Sequence, residues 1–256
     1  MRSIARSGLA LAGILVTLAC LGADAPAKKA PIDAKADQFL KQMCTYLTGL
    51  KQFTFEGEEI FDEVLDNGQK LQFSHQRKLA VSRPAKIYSE FKGDLSDRLF
   101  YFNGETAALF DKDKNVYSIV SFKGSIDGLI DMLHNKLGFT VPLSDLILSD
   151  VYKVLTQDVT SGTYVGTHNV GGVKCHHLAF TQKLVDWQIW IEMGDKPLPR
   201  KLVITQKQLR GEPQFTAILS RWDTAAKLTD AMFDFSPPKD AKKIDFVQAQ
   251  GTAGKK

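Results

Sequence analysis

Cysteine is scarce: the 256-residue chain carries three, at positions 20, 44 and 175. Three cannot build the disulfide framework of a small secreted scaffold or a four-cysteine zinc site. Long apolar runs are missing too, and none approaches the about 20 residues that a membrane-spanning helix needs. Neither sign of charge dominates, with 33 Lys+Arg against 29 Asp+Glu and a net charge of +4. The basic footprint of a nucleic-acid-binding protein is therefore absent. No G-x-S-x-G elbow, P-loop or G-x-G-x-x-G occurs, so the common nucleophile and nucleotide signatures are excluded. What remains, at 44% hydrophobic and 24% charged residues, is an ordinary globular composition with enough chain for one sizeable core.

The N-terminus carries an address. Arg2 and Arg6 precede a short uncharged stretch, Gly8 to Ala19, followed by small residues. That order of positive, apolar and small residues is the pattern of a secretory signal peptide, which we assign to residues 1–27. Leu21-Gly22-Ala23 and Ala25-Pro26-Ala27 both offer small residues for the cut. Cys20 offers a different processing, as the acylated first residue of a lipoprotein, although Thr17 stands where such a site usually has Leu. Export makes the protein periplasmic, with an outer-membrane lipoprotein as the alternative if Cys20 is acylated. In an oxidising compartment Cys44 and Cys175 either pair or stay as two buried thiols. A bridge between them would contribute about 4–5 kcal/mol through loop entropy.

Residues 28–35 read as a flexible leader rich in Ala and Lys. From Asp37 to Leu50 the apolar residues Phe39, Leu40, Met43, Leu47 and Leu50 recur at helical spacing, with Asp37 near the start as cap. Alternation then takes over. Phe53, Phe55, Glu59 and Phe61 lie on one parity, Asp66-Asn67-Gly68 marks a hairpin, and Leu71, Phe73, Leu79 and Val81 resume the ladder. Further strands are expected at 86–91, 99–102, 106–110 and 116–120. Residues 125–137 interrupt them with a helix capped by Ser125 and ended by Gly138, and 142–155 holds a shorter helical stretch. Strands return at 163–167, 174–181, 187–192, 201–206 and 215–222, and residues 247–256 form a disordered tail. The fold class is α+β: an unclosed antiparallel half-barrel of about eleven strands, with an N-terminal helix and a helical lid inserted midway, all in one domain of residues 36–246.

Sixteen Phe, six Tyr and three Trp are more than a few helices can cover on so many strands. Phe53, Phe55, Phe61, Leu71, Phe73, Trp187 and Ile189 are the candidates for a concave apolar groove. His75 and Arg77 continue the parity of Leu71, Phe73, Leu79 and Val81. Either a bulge near Gln76 turns them outward, or they face the groove as partners for an anionic head group. Glu56, Glu58 and Glu59 read as the solvent face of their strand. His176 and His177 are adjacent and point to opposite faces; Cys175 and His177 share one, but no third ligand completes a metal set. No catalytic residue, cofactor or metal is assigned, and the chain reads as a non-enzyme.

The strings Val173-Lys174-Cys175-His176-His177-Leu178-Ala179-Phe180, Val185-Asp186-Trp187-Gln188-Ile189-Trp190-Ile191-Glu192 and Pro197-Leu198-Pro199-Arg200-Lys201-Leu202-Val203-Ile204-Thr205 carry a resemblance. Together with Asp66-Asn67-Gly68-Gln69-Lys70-Leu71-Gln72-Phe73 and Arg83-Pro84, they resemble a family of predicted periplasmic proteins, a domain of unknown function. That family is similar in architecture to the lipoprotein carriers LolA and LolB. The resemblance spans about 36–246 and implies a LolA-like half-barrel that holds acyl chains under a helical lid, with no cofactor. Its partners would be a hydrophobic ligand or a lipidated protein, with peripheral membrane contact. The alternative is an envelope protein partner for a regulatory module that has no small ligand.

Overall fold

The computed structural model describes residues 32–138, 141 and 143–245. The signal peptide, Cys20, most of the leader and the C-terminal tail named above lie outside the described residues.

Helix α1 covers Ala34–Gly49, and its cap is Asp33, whose carboxylate accepts the Lys35 N–H at 2.7 Å. Asp37, expected as the cap, sits instead in the first turn, where negative charge suits the helix dipole, and pairs with Lys41 at 2.7 Å. Ile32 bridges to Gly162, so residues 32–35 are part of the fold and not of a flexible leader. One stripe of the helix, Ala36, Leu40, Met43, Cys44 and Leu47, is buried.

Six antiparallel strands follow: β1 Gln52–Val64, β2 Lys70–Ser82, β3 Lys86–Gly93, β4 Asp97–Phe102, β5 Thr106–Asp111 and β6 Val116–Ser121. Gly68 and Gly104 adopt φ of 88° and 94° at the β1–β2 and β4–β5 turns, a conformation that glycine reaches without a Cβ penalty. The chain then leaves the sheet through α2 Ile126–Leu137, a 3-10 turn at Ser144–Leu146 and α3 Val151–Thr156. Ser125 caps α2 by accepting the Gly128 N–H at 3.2 Å, and Gly138 ends it at φ 68°. Five more strands complete a second meander: β7 Val159–Val170, β8 Val173–Gln182, β9 Val185–Glu192, β10 Pro199–Gln206 and β11 Gln214–Asp223.

The two meanders join where β11 pairs with β1, giving one sheet of order β12-β6-β5-β4-β3-β2-β1-β11-β10-β9-β8-β7, in which β12 is the two-residue Lys242–Lys243. Its edges are β7 and β12, so the sheet is not closed. α2 and α3 connect β6 to β7, at opposite sides of the sheet, and pack on the same face as α1. Ile126, Leu129, Leu133, Leu146, Ile147 and Val151 bury themselves there in the same cluster as α1. The convex face of the first meander is covered by the C-terminal segment, with Phe235 against Tyr101 at 5.3 Å and Tyr117 at 5.5 Å. The architecture is the expected α+β half-barrel with an N-terminal helix and a helical insertion. Among the described residues no helix is long and apolar enough to cross a membrane.

Candidate functional site

Strand registers convert the sequence parity into rows across the concave face. The row nearest the start of β1 is Phe53–Val81–Ile87–Phe102–Ala107, all buried. The next is Phe55–Leu79–Ser89–Phe100–Leu109, and the third Gly57–Arg77–Phe91–Arg98–Asp111. A fourth begins with Glu59–His75–Gly93. Apolar rows thus give way to charged ones along the strands.

Between these rows and α2 lies a cavity of about 210 Å³. Its floor is Leu79, Ile87, Phe100 and Leu109, and its roof is Ile130 and Leu133 of α2 with Val141, Leu143 and Ile147. Arg77, Ser89, Phe91 and Arg98 form its polar side. Two contacts pin the roof: Asp127 accepts the Ser149 N–H (3.0 Å) and hydroxyl (2.5 Å), and Arg83 donates to the Ile147 carbonyl at 2.6 Å.

Glu59, read from the sequence as solvent-facing, is fully buried. Its carboxylate accepts the His75 Nε2–H at 2.5 Å, the Arg77 Nε–H, and the Arg77 Nη2–H at 3.1 Å. The β1–β2 ladder runs unbroken from Gln52↔Ser82 to Val64↔Lys70. No bulge turns His75 and Arg77 outward, so both point inward, 6% and 8% exposed. Burial alone would raise the Glu59 pKa, but the hydrogen bonds from His75 and Arg77 outweigh it and hold the carboxyl below its ordinary value. Arg77 also donates through Nη1 to Ser89 at 3.0 Å.

The remaining expected site residues separate. Phe53, Phe55, Trp187 and Ile189 are closed into the core rather than lining the cavity. Phe55 packs on Trp222 at 4.4 Å and Trp187 stacks on Phe180 at 4.2 Å. Phe61, Leu71 and Phe73 are half-buried near the far end of the β1–β2 hairpin. His75 stands between Glu59 and the Phe91 ring, whose centroid is 3.8 Å away. Of the head-group candidates only Arg77 lines the cavity.

Cys44 and Cys175 are both free and buried, so the pairing that the sequence allowed does not form. The reason is geometric. On β8, His176 stacks on Phe39 of α1 at 3.5 Å, and Leu178 and Phe180 join the helix-side core. Cys175 lies on the opposite parity and therefore on the opposite face from Cys44. Desolvation pushes the Cys44 thiol to about 12 and the Cys175 thiol to about 11. His177 shares the outer face with Cys175. Its Nδ1 meets His168 Nδ1 at 3.1 Å, its Nε2 meets Gln188 Oε1 at 3.0 Å, and its ring stacks on Trp190 at 3.9 Å. Among the described residues no group of three or more His, Cys, Asp or Glu is placed to hold a metal.

Sequence reasoning missed Glu59, Arg98, Ser89 and the α2 roof as parts of one site. Parity was the available signal: Glu59 shares it with Phe53, Phe55 and Phe61, and Arg98 shares it with Phe100 and Phe102.

A family profile described as "Predicted periplasmic protein (DUF2092)" matches residues 36–247, and the chain belongs to that family. No curated protein matches the sequence. Among solved structures, an uncharacterized conserved protein from Thermus thermophilus is similar at 12% identity, with 82% of this chain and 99% of that one covered and a TM-score of 0.48. The Mycobacterium tuberculosis lipoprotein LppX is similar at 13% identity over 77% of this chain and 100% of its own, with a TM-score of 0.46. A LolA superfamily protein from Nitrosomonas europaea is similar at 10% identity over 78% and 97%, with a TM-score of 0.40.

Proposed function

We propose that this member of a predicted periplasmic family is an exported, non-enzymatic protein that binds the acyl part of a lipid or lipidated protein between the concave sheet face and α2. Residues 1–27 would be removed on export, leaving residues 36–246 as the single binding domain. The observation that carries the reading is the cavity itself: apolar floor, apolar roof, and charge gathered on one side. Apolar cavities with few, localised polar groups are the usual form of a small-ligand site. Binding would draw on burial of methylenes at about 0.8 kcal/mol each and needs no cofactor.

The test is displacement of an environment-sensitive fluorescent fatty acid from delipidated protein. Leu109→Glu places a charge in the floor and is expected to weaken binding by more than about tenfold, because an unpaired carboxylate would have to be desolvated there. Phe73→Glu, outside the cavity, is the control and is expected to bind as the parent does. Equal binding by parent and Leu109→Glu, both folded, would remove the cavity from the account. It would favour the reading as an envelope protein-interaction module with no small ligand.

A further inference from the structure

We propose that the cavity selects an amphiphile with one carboxylate head, seated with its head at Arg98 and its tail running under α2. This rests on reading the cavity as a lipid site and adds the ligand's head group and direction.

Direction comes from the rows. Arg77, Phe91 and Arg98 lie side by side on β2, β3 and β4 at one end of the cavity. The neighbouring row presents Leu79, Phe100 and Leu109, and Leu133 closes the space above. A molecule with one polar end fits in one orientation only, since the reverse would bury its head among carbon atoms.

Charge comes from pairing. Arg77 has its Nε, Nη1 and Nη2 engaged by Glu59 and Ser89. Arg98 donates only its Nε, to Asp111 at 3.3 Å, and Asp111 is shared with Lys114 at 3.7 Å. Among the described residues the Nη groups of Arg98 donate to nothing. Each arginine of this row faces one carboxylate, Arg77 with Glu59 and Arg98 with Asp111, and the Arg98 Nη groups are the donors left for a head group. A carboxylate head would accept from those two groups. The Arg98 side chain is 42% exposed, so the head would sit at the mouth with water still in reach. Its planar fork matches a carboxylate in two parallel hydrogen bonds.

The experiment is calorimetric titration of the full mature chain with decanoate, decan-1-ol and decyltrimethylammonium, repeated with Arg98→Gln. Arg98 lies at the cavity mouth and half in water, so the variant is expected to melt with the parent. The parent is expected to prefer decanoate over decan-1-ol by about tenfold, the worth of one charge-assisted pair, and to reject the cation. Arg98→Gln is expected to lose that preference while binding decan-1-ol unchanged. Equal binding of acid and alcohol by the parent would overturn the head-group assignment and leave the apolar site standing. So would an acid preference that survives in Arg98→Gln, or tighter binding of a lysophospholipid than of decanoate. Binding of none of the probes would overturn the lipid site together with this inference.

Discussion

Glu59 is the residue on which sequence intuition and structure part most sharply. Three glutamates within four residues suggest a wet surface, yet strand parity sends Glu56 and Glu58 one way and Glu59 the other. Facing inward, Glu59 meets two basic residues that the unbroken β1–β2 ladder holds on the same face. An isolated buried carboxylate would be prohibitive; one held by His75 and Arg77 is tolerated because each charge is hydrogen-bonded. Removing it exposes the cost. Glu59→Gln leaves the Arg77 charge buried without its partner and is expected to destabilise by about 3–5 kcal/mol, read by urea unfolding. The pH dependence follows from the depressed pKa of Glu59. The folded state gains stability from this group above its ordinary value of 4.5 and loses it as pH falls through the lower folded value. Glu59→Gln should therefore show a flatter acid limb than the parent. A loss under about 1 kcal/mol, with an unchanged acid limb, would mean that the cluster is solvated in solution. The cysteines give a second test at this scale. Both thiols are buried and raised, Cys44 to about 12 and Cys175 to about 11, and only thiolates react. Native protein should resist iodoacetamide and take up two labels after denaturation; an intact mass lacking two hydrogens would instead reveal a bridge.

At the scale of elements, the half-barrel depends on where the helical insertion leaves and rejoins the sheet. α2 is short, buries Ile126, Leu129 and Leu133, and is tied by Asp127 to Ser149, while Arg83 holds the following loop at Ile147. The Asp127 tie lies in its first turn. Lids of this kind open by small movements at a few fixed points. Asp127→Ala removes the contact that joins α2 to the loop before α3. It should speed both uptake and release of a fluorescent fatty acid, by about three- to tenfold in stopped flow, with a smaller change in equilibrium affinity. Unchanged rates would show that ligand reaches the cavity without movement of this helix. α1 behaves differently. Its stripe fills the other half of the concave face, and the His176–Phe39 stack and the Tyr152 hydroxyl donating to Asp37 at 2.5 Å fasten it there.

At the scale of the molecule, one sheet carries two unlike halves, filled under α1 and hollow under α2. Period-two alternation, the Asn67-Gly68 and Asn103-Gly104 turns and the Ser125 and Gly138 caps made the strands and the inserted helix legible, because these signals are local. So was the likeness to a periplasmic family, through the block 173–205. The division of the concave face was not legible. Alternation reports which residues share a face, but not which helix lies over which strands, and that depends on contacts between residues far apart in the chain. Phe53, Phe55, Trp187 and Ile189 therefore looked like groove and are core, while Phe100, Leu109 and Leu133 line the space that remains. The pairing of Glu59 with Arg77 was open to the same parity argument and was obscured by its acidic neighbours.

An acyl chain held under α2 would be seen by native mass spectrometry of the protein gently purified from a bacterial envelope, followed by denaturation and solvent extraction. The native mass should exceed that of the chain, the difference should disappear on extraction, and the extract should contain an acyl-chain molecule. The same bound mass should be absent from Leu109→Glu. A native mass equal to the chain alone, with no lipid in the extract, would contradict an acyl site under α2.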